Sequence, residues 1–229
     1  MIVWLCPLDV STYAALGRDV PAPPRPPCPR CGGPTGPWSG YLRHVRDAEL
    51  HRIFVPRVRC RRCGVTAALL PWFVTPYRWD SVDVIGHALG LAVTGVGVRR
   101  IAALLERPET TVREWCRRFG RVAGSLAVTL LAAAVRMGWS GLDLPTAPGP
   151  RCVAAVVALA SAWTRRGGPV PAWRLAALVT GGAWLASNTT SPLAPRAVSP
   201  LMAGTARPSS GDDPCHRIRQ KPSPSGATT

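Results

Sequence analysis

The chain of 229 residues is 47% hydrophobic, enough to bury one sizeable core or two small ones. Its formal net charge of +16, from 28 Lys and Arg against 12 Asp and Glu, excludes an ordinary near-neutral metabolic enzyme as the starting point. It favours a polyanionic partner, either nucleic acid or an anionic membrane surface. Only Lys221 is a lysine, and Ala, Gly, Pro and Val are abundant, as a GC-rich genome would write them. The placement of the arginines therefore carries more weight than their number.

In chain order, residues 1–20 form a short apolar segment with no basic residue before Arg18 and no cleavage site after a hydrophobic core, unlike a signal peptide. The proline-rich run 21–27 reads as a stiff linker. Together they make the first unit, 1–27. A cysteine-bracketed unit follows over 28–79, with β-type runs at 39–45 (SGYLRHV) and 52–59 (RIFVPRVR) joined across Asp47, Ala48 and Glu49. Residues 65–77 read as an apolar, proline-punctuated connector. Tyr41, Phe54, Trp72, Phe73 and Tyr77 are expected to form the small ribbon core and its seam with the helices.

From Asp80 the pattern turns helical. Asp80 or Ser81 can cap the helix, Asp83 favours its first turn, and Val82, Ile85, Leu89 and Ala92 recur at helical spacing. Residues 98–105 and 110–121 give two further helices, closing a unit at 80–121. An apolar helix over 122–137 continues or follows the last of these. With candidates at 153–165 and 173–188, it makes a carboxy-terminal helical subdomain, 122–190. Trp163, Trp173 and Trp184 fall there as packing residues. Gly181 and Gly182 mark either a close helix contact or a break. Residues 191–229 are rich in Pro, Ser, Thr, Gly and Arg without periodicity and read as a disordered tail. The longest apolar runs, 122–135 and 153–163, fall short of the roughly 18 residues that span a bilayer. The expectation is a cytoplasmic, nucleoid-associated protein with no membrane partner and no small-molecule substrate.

The sharpest motif is Cys28-Pro-Arg-Cys31-Gly and Cys60-Arg-Arg-Cys63-Gly. Two C-x-x-C knuckles around a hairpin suit one tetrahedral zinc with four thiolate ligands. Two intervening residues let both sulfurs of a knuckle meet one metal, and the following glycine eases the curl. Disulfides and a thioredoxin-like redox pair are the competing readings. The first lacks a secretory signal and the second needs a single pair in a βαβ setting. Four thiolates leave no open position, so one structural zinc per chain is expected. Cys6, Cys116, Cys152 and Cys215 read as ordinary thiols, and His44, His51, His87 and His216 as surface groups.

The second motif is VRRIAALLERPETTVREWCRRF, residues 98–119. Val112, Trp115, Cys116 and Phe119 make one apolar stripe, and Thr111 with Glu114 fits a capping box. Thr110, Arg113, Glu114, Arg117, Arg118 and Arg121 lie outside the stripe. That is the arrangement of a recognition helix, with arginines able to read guanine and threonines able to touch phosphate or a thymine methyl. Arg99 and Arg100 open the preceding helix, where they can hold the DNA backbone. Thr111 counts among the candidate contacts, as do the ribbon arginines Arg57, Arg59, Arg61 and Arg62. Glu114 is expected to pair with Arg118 one turn on. The alternative is an ordinary amphipathic hairpin with a solvated charged face.

Together, CPRCG, GYLRHVR, RIFVPRVRCRRCG, LLPWFVTPYR and IAALLERPETTVREWCRRF resemble the zinc-ribbon and helix-turn-helix region of insertion-sequence transposases. More closely, they are similar to uncharacterised actinobacterial proteins built from that region without a nuclease domain. The resemblance is specific over about residues 25–120 and extends weakly through WRLAALVTGGAWLASNT at 173–189. It implies a DNA-binding module with Cys28, Cys31, Cys60 and Cys63 as ribbon ligands and the second helix making base contacts. After Glu114 the only carboxylates are Asp143, Asp212 and Asp213, too few for the acidic cluster of a strand-transferase. The chain is therefore expected not to be an enzyme.

The fold expected is mainly α with a small β zinc ribbon, a trihelical helix-turn-helix core and carboxy-terminal helices. The function expected is sequence-specific binding of double-stranded DNA, as a transcriptional regulator or transposase-derived factor. The alternatives are a non-catalytic accessory or protein-interaction module of a mobile element, or a truncated transposase remnant. A protein partner and a homodimer both remain open.

Overall fold

The computed structural model describes residues 1–185 apart from Ala22 and Leu142. The predicted tail, with Cys215, His216 and the basic cluster 217–221, lies outside the described residues, as does the end of the helix candidate 173–188.

Helix makes up 46% of the described residues and strand 19%, which corrects the expectation of a mainly α fold with a small ribbon. The chain is a mixed α/β structure with a four-stranded mixed sheet and six helices among the described residues. The strands are β1 (Ile2–Trp4), β2 (Thr35–Arg46), β3 (Leu50–Cys60) and β4 (Thr66–Pro71), in the order β1-β4-β3-β2. β2 and β3 form a long antiparallel hairpin whose register shifts between Pro37 and Ser39. β4 is antiparallel to β3, while β1 is parallel to β4, pairing Ile2 with Leu69 and Trp4 with Pro71.

Two segments account for the correction. The connector at 65–77 supplies the interior strand β4. Its run Ala67, Ala68, Leu69 and Leu70 is buried on both faces, so it lacks the alternation that announces a half-exposed strand. The amino-terminal segment supplies the edge strand β1 and helix α1 (Val10–Ala15). Asp9 caps α1, accepting from the Thr12 amide at 2.8 Å. Tyr13 is wholly buried, and its hydroxyl donates to the Phe54 carbonyl on β3 at 3.0 Å.

The helical half starts with α2 (Val82–Val93), α3 (Val98–Leu104) and α4 (Glu109–Arg136). Ser81 caps α2 through the Val84 amide, as one of the two expected residues. α4 is one unbroken helix of 28 residues, so the two predicted segments 110–121 and 122–137 are continuous. Its burial follows the predicted stripe: Val112, Trp115 and Phe119 are buried, Cys116 is half-buried, and Ala123, Leu126, Ala127 and Leu130 carry the same face onward. Continuity also makes α4 long and apolar enough to cross a bilayer by length and composition, which the separate runs were not. The capping box does not form. The helix starts at Glu109 behind Pro108, with no side-chain cap.

α5 (Pro148–Gly167) and α6 (Ala172–Val179) complete the fold. Gly149 at the start of α5 sits against Phe119, and Arg165 near its end donates to the carbonyl of Gly138 just past α4. The two helices therefore run side by side in the same direction. Trp173 stacks on Trp184 at 5.3 Å, and Trp163 is buried, as expected of packing residues. Gly181 and Gly182 break the helix, with Gly182 at φ 77° and pressed against Pro76 and Val3. One buried apolar cluster runs from Val3 to Trp184 and joins sheet and helices.

Candidate metal centre and nucleic-acid interface

The root of the β2–β3 hairpin brings the two C-x-x-C knuckles face to face. One sulfur of each of Cys28, Cys31, Cys60 and Cys63 lies within 4.8 Å of all the others. The Cys28–Cys63 and Cys31–Cys60 sulfurs are both 3.6 Å apart. A tetrahedron with metal–sulfur bonds of about 2.3 Å has edges of about 3.8 Å, so the set fits one metal ion.

The knuckles share one backbone design. Cys28 N donates to Gly33 O and Gly32 N to Cys28 O, just as Cys60 N donates to Val65 O and Gly64 N to Cys60 O. Gly32 and Gly64 take the left-handed backbone that closes each curl, at φ 68° and 71°. Amide hydrogens then point at the sulfurs, from Arg30 to Cys28 at 3.4 Å and from Arg62 to Cys60 at 3.3 Å. These donors favour thiolates. The N–H of Cys63, with that of Arg62, draws the Cys60 thiol down to about 6, and the N–H of Arg30 lowers Cys28. Cys63 moves the other way, to about 11. The N–H of Val65 favours its thiolate, but desolvation and the sulfurs of Cys31, Cys28 and Cys60 outweigh it. Four sulfurs this close need a cation before all can be thiolates.

The hairpin's other end meets the helices. Arg107, in the turn between α3 and α4, donates to Asp80 at 2.6 Å and to the carbonyl of Asp47 at the hairpin tip at 2.9 Å. Its side chain is only 7% exposed and that of Asp80 9%. The Ser81 hydroxyl donates to the Asp47 carboxylate at 2.5 Å, and the backbone of Arg46 pairs with Trp79 and Ser81. This buried joint was not anticipated from the sequence, where Arg107 sits in an ordinary-looking turn.

On α4, Thr110, Arg113, Arg117 and Arg121 are all exposed and spaced three, four and four residues apart, which places them in one row. Thr111, Glu114 and Arg118 flank the row, half-buried. The row is already partly paired. Arg113 donates to Glu109, and Arg117 holds Glu114 through two bonds of 2.7 Å, while Arg118 donates to the same carboxylate. These donors, Arg117 first, pull Glu114 down to about 2, so its pairs with Arg117 and Arg118 persist through the usual carboxylate range and are lost only as the pH falls to about 2. Arg100 is exposed on α3, as is Arg99, whose side chain is 92% exposed and 3.8 Å from Glu109.

The ribbon arginines lie apart from this row. Arg57 donates to Thr66 across β3–β4, and Arg59 stacks over Trp38 at 4.5 Å. Arg61 and Arg62 sit exposed in the second knuckle. From Cys60 to Leu50 the strand β3 spans about 33 Å at the usual rise per residue, which separates the knuckle arginines from the end docked on the helices. Of the expected ribbon core, Trp72 and Phe73 are buried, but Tyr41 is 39% exposed and Tyr77 71%. Those two are surface residues and not part of the seam.

A family model described as a domain of unknown function, DUF6431, matches residues 28–115, from the first knuckle into α4. No curated protein and no solved structure matches the chain.

Proposed function

We propose that the chain is a sequence-specific DNA-binding protein without catalytic chemistry of its own. A structural zinc ion is held by Cys28, Cys31, Cys60 and Cys63, and α3–turn–α4 forms the helix-turn-helix. The observation that carries the reading is the exposed row Thr110, Arg113, Arg117, Arg121 on a helix whose opposite face is anchored by Val112, Trp115 and Phe119. A recognition helix needs this division between a buried scaffold face and an exposed donor face. Zinc is the metal assigned because four thiolates with no open position suit its structural sites. Its role is to close the hairpin root.

The pairs at Glu109 and Glu114 do not oppose this reading. Exposed ion pairs are weak and screened by solvent, so phosphates and guanine edges can replace them. Arg99 and Arg100 face the DNA backbone, and the knuckle arginines add phosphate contacts farther along the duplex. The wider reading is a regulator or transposase-derived factor acting on cytoplasmic, nucleoid DNA.

Substituting Arg117→Ala is expected to weaken binding, relax specificity and lower the salt slope of log affinity by about one. Glu114→Gln is expected to free Arg117 and Arg118 and raise retention of random duplex at low salt. Gel shifts on specific and random DNA unchanged by Arg117→Ala would remove α4 from the interface. Val128 and Val135 on α4 and Val157 on α5 are exposed and favour a protein contact, including a second copy, at the carboxy-terminal half.

A further inference from the structure

Residues 72–80, between β4 and α2, combine bracing with exposure in a way that packing alone does not call for. The Arg43 guanidinium spans the carbonyls of Thr75 and Arg78, Arg78 N donates to Thr75 O, and Arg46 N donates to Trp79 O at 2.6 Å. On this braced loop Tyr77 is 71% exposed and Trp79 56%. Tyr77 holds φ 59°, a left-handed backbone that a bulky side chain disfavours and that persists only where the surroundings impose it. The Trp79 ring lies 5.6 Å from that of His44.

The same loop buries polar groups that lack partners. Trp72 Nε1, Thr75 Oγ1 and Arg78 Nε and Nη2 are buried and have no hydrogen-bond partner among the described residues. Arg78 is close enough to Glu114 and Arg118 for the charge of each to act on its guanidinium. The loop therefore lies within electrostatic range of the Glu114 and Arg118 side of α4.

The geometry points to a second nucleic-acid contact: Tyr77 and Trp79 form a stacking platform for an unpaired base of the DNA held on α4. This rests on the DNA-binding reading above. Exposed rings beside an arginine-bearing helix suit a base, because every base offers a π-face and carries a phosphate that the exposed arginines of α4 complement. Tyr, Trp and Arg are the residues of protein-binding hot spots too, so a protein surface is the competing outcome.

The test measures anisotropy with the full chain and two labelled duplexes, one fully paired and one carrying a single unpaired base. Wild type is expected to prefer the second by about tenfold, the usual scale of one base–ring stack. Tyr77→Ala and Trp79→Ala should each abolish that preference while leaving affinity for the paired duplex nearly unchanged, and Tyr77→Phe should keep it. Tyr77→Gly should lose the preference yet melt at or above wild type, since glycine accepts the left-handed backbone; a ring with only a structural role would show the reverse. Equal wild-type affinity for the two duplexes, or a preference that survives both alanine variants, overturns the platform and leaves α4 as the DNA contact. The same holds for alanine variants that weaken both duplexes equally. Failure to bind either duplex overturns the platform and the DNA-binding reading together.

Discussion

Arg107 carries the joint between hairpin and helices. It is the buried partner of Asp80 and also reaches the Asp47 carbonyl, so it ties the hairpin tip to the start of α2 and the turn before α4. Removing Arg107 leaves the buried Asp80 carboxylate with only its longer, 3.7 Å pair to Arg46. Arg107→Ala is expected to cost about 3–5 kcal/mol, read as a fall in the urea midpoint. Replacing both partners with apolar residues of similar volume should recover most of the loss. Neighbouring Glu106 stands at φ 52° without being glycine. Glu106→Gly is expected to raise stability by about 1 kcal/mol, because the left-handed strain disappears; a lower melting midpoint would show that the Glu106 side chain does more than occupy the turn. Neither residue announces itself in the sequence. Asp80 is a plausible helix cap and Arg107 a solvated turn residue until the fold places them together.

At the scale of elements, what could be read locally was read well. Cysteine spacing brings the four sulfurs together because each knuckle is built within six residues, and the stripe Val112, Trp115, Phe119 places the buried face of α4. What escaped was non-local. β1 has three residues, and its partner β4 lies more than 60 residues away, so no periodicity could reveal a parallel pair. β4 itself is buried on both faces and reads as a featureless apolar run. The sequence leaves open whether the apolar helix 122–137 continues 110–121 or follows it; the burial of Ala123, Leu126, Ala127 and Leu130 on one face carries α4 through as a single helix, past Gly120 and Gly124. Metal removal should follow these elements. A strong chelator is expected to raise hydrogen exchange in the knuckles and the adjoining ends of β2 and β3, while amides of α4 and α5 stay protected. Cys60→Ser should lower metal content and produce the same pattern; metal content equal to wild type would exclude Cys60 as a ligand.

Over the whole molecule, sheet and helices share one buried cluster, so the hairpin is an arm fixed at its tip to the start of α2 and the α3–α4 turn, with four cysteines at its root that could hold a metal ion. The strand length sets the knuckle arginines about 33 Å from the docked end, close to one turn of B-form DNA. With a net charge of +16, some retention on any duplex is expected, and charge alone does not separate a reader of sequence from a general polycation. The most direct measurement is zinc content together with selection from a randomised duplex library at physiological salt, repeated at higher salt. One zinc per chain, an enriched motif and affinity that falls steeply with salt is the expected result. Zinc with no enriched motif, or retention indifferent to salt, would contradict sequence reading by α4 and turn attention to a protein partner.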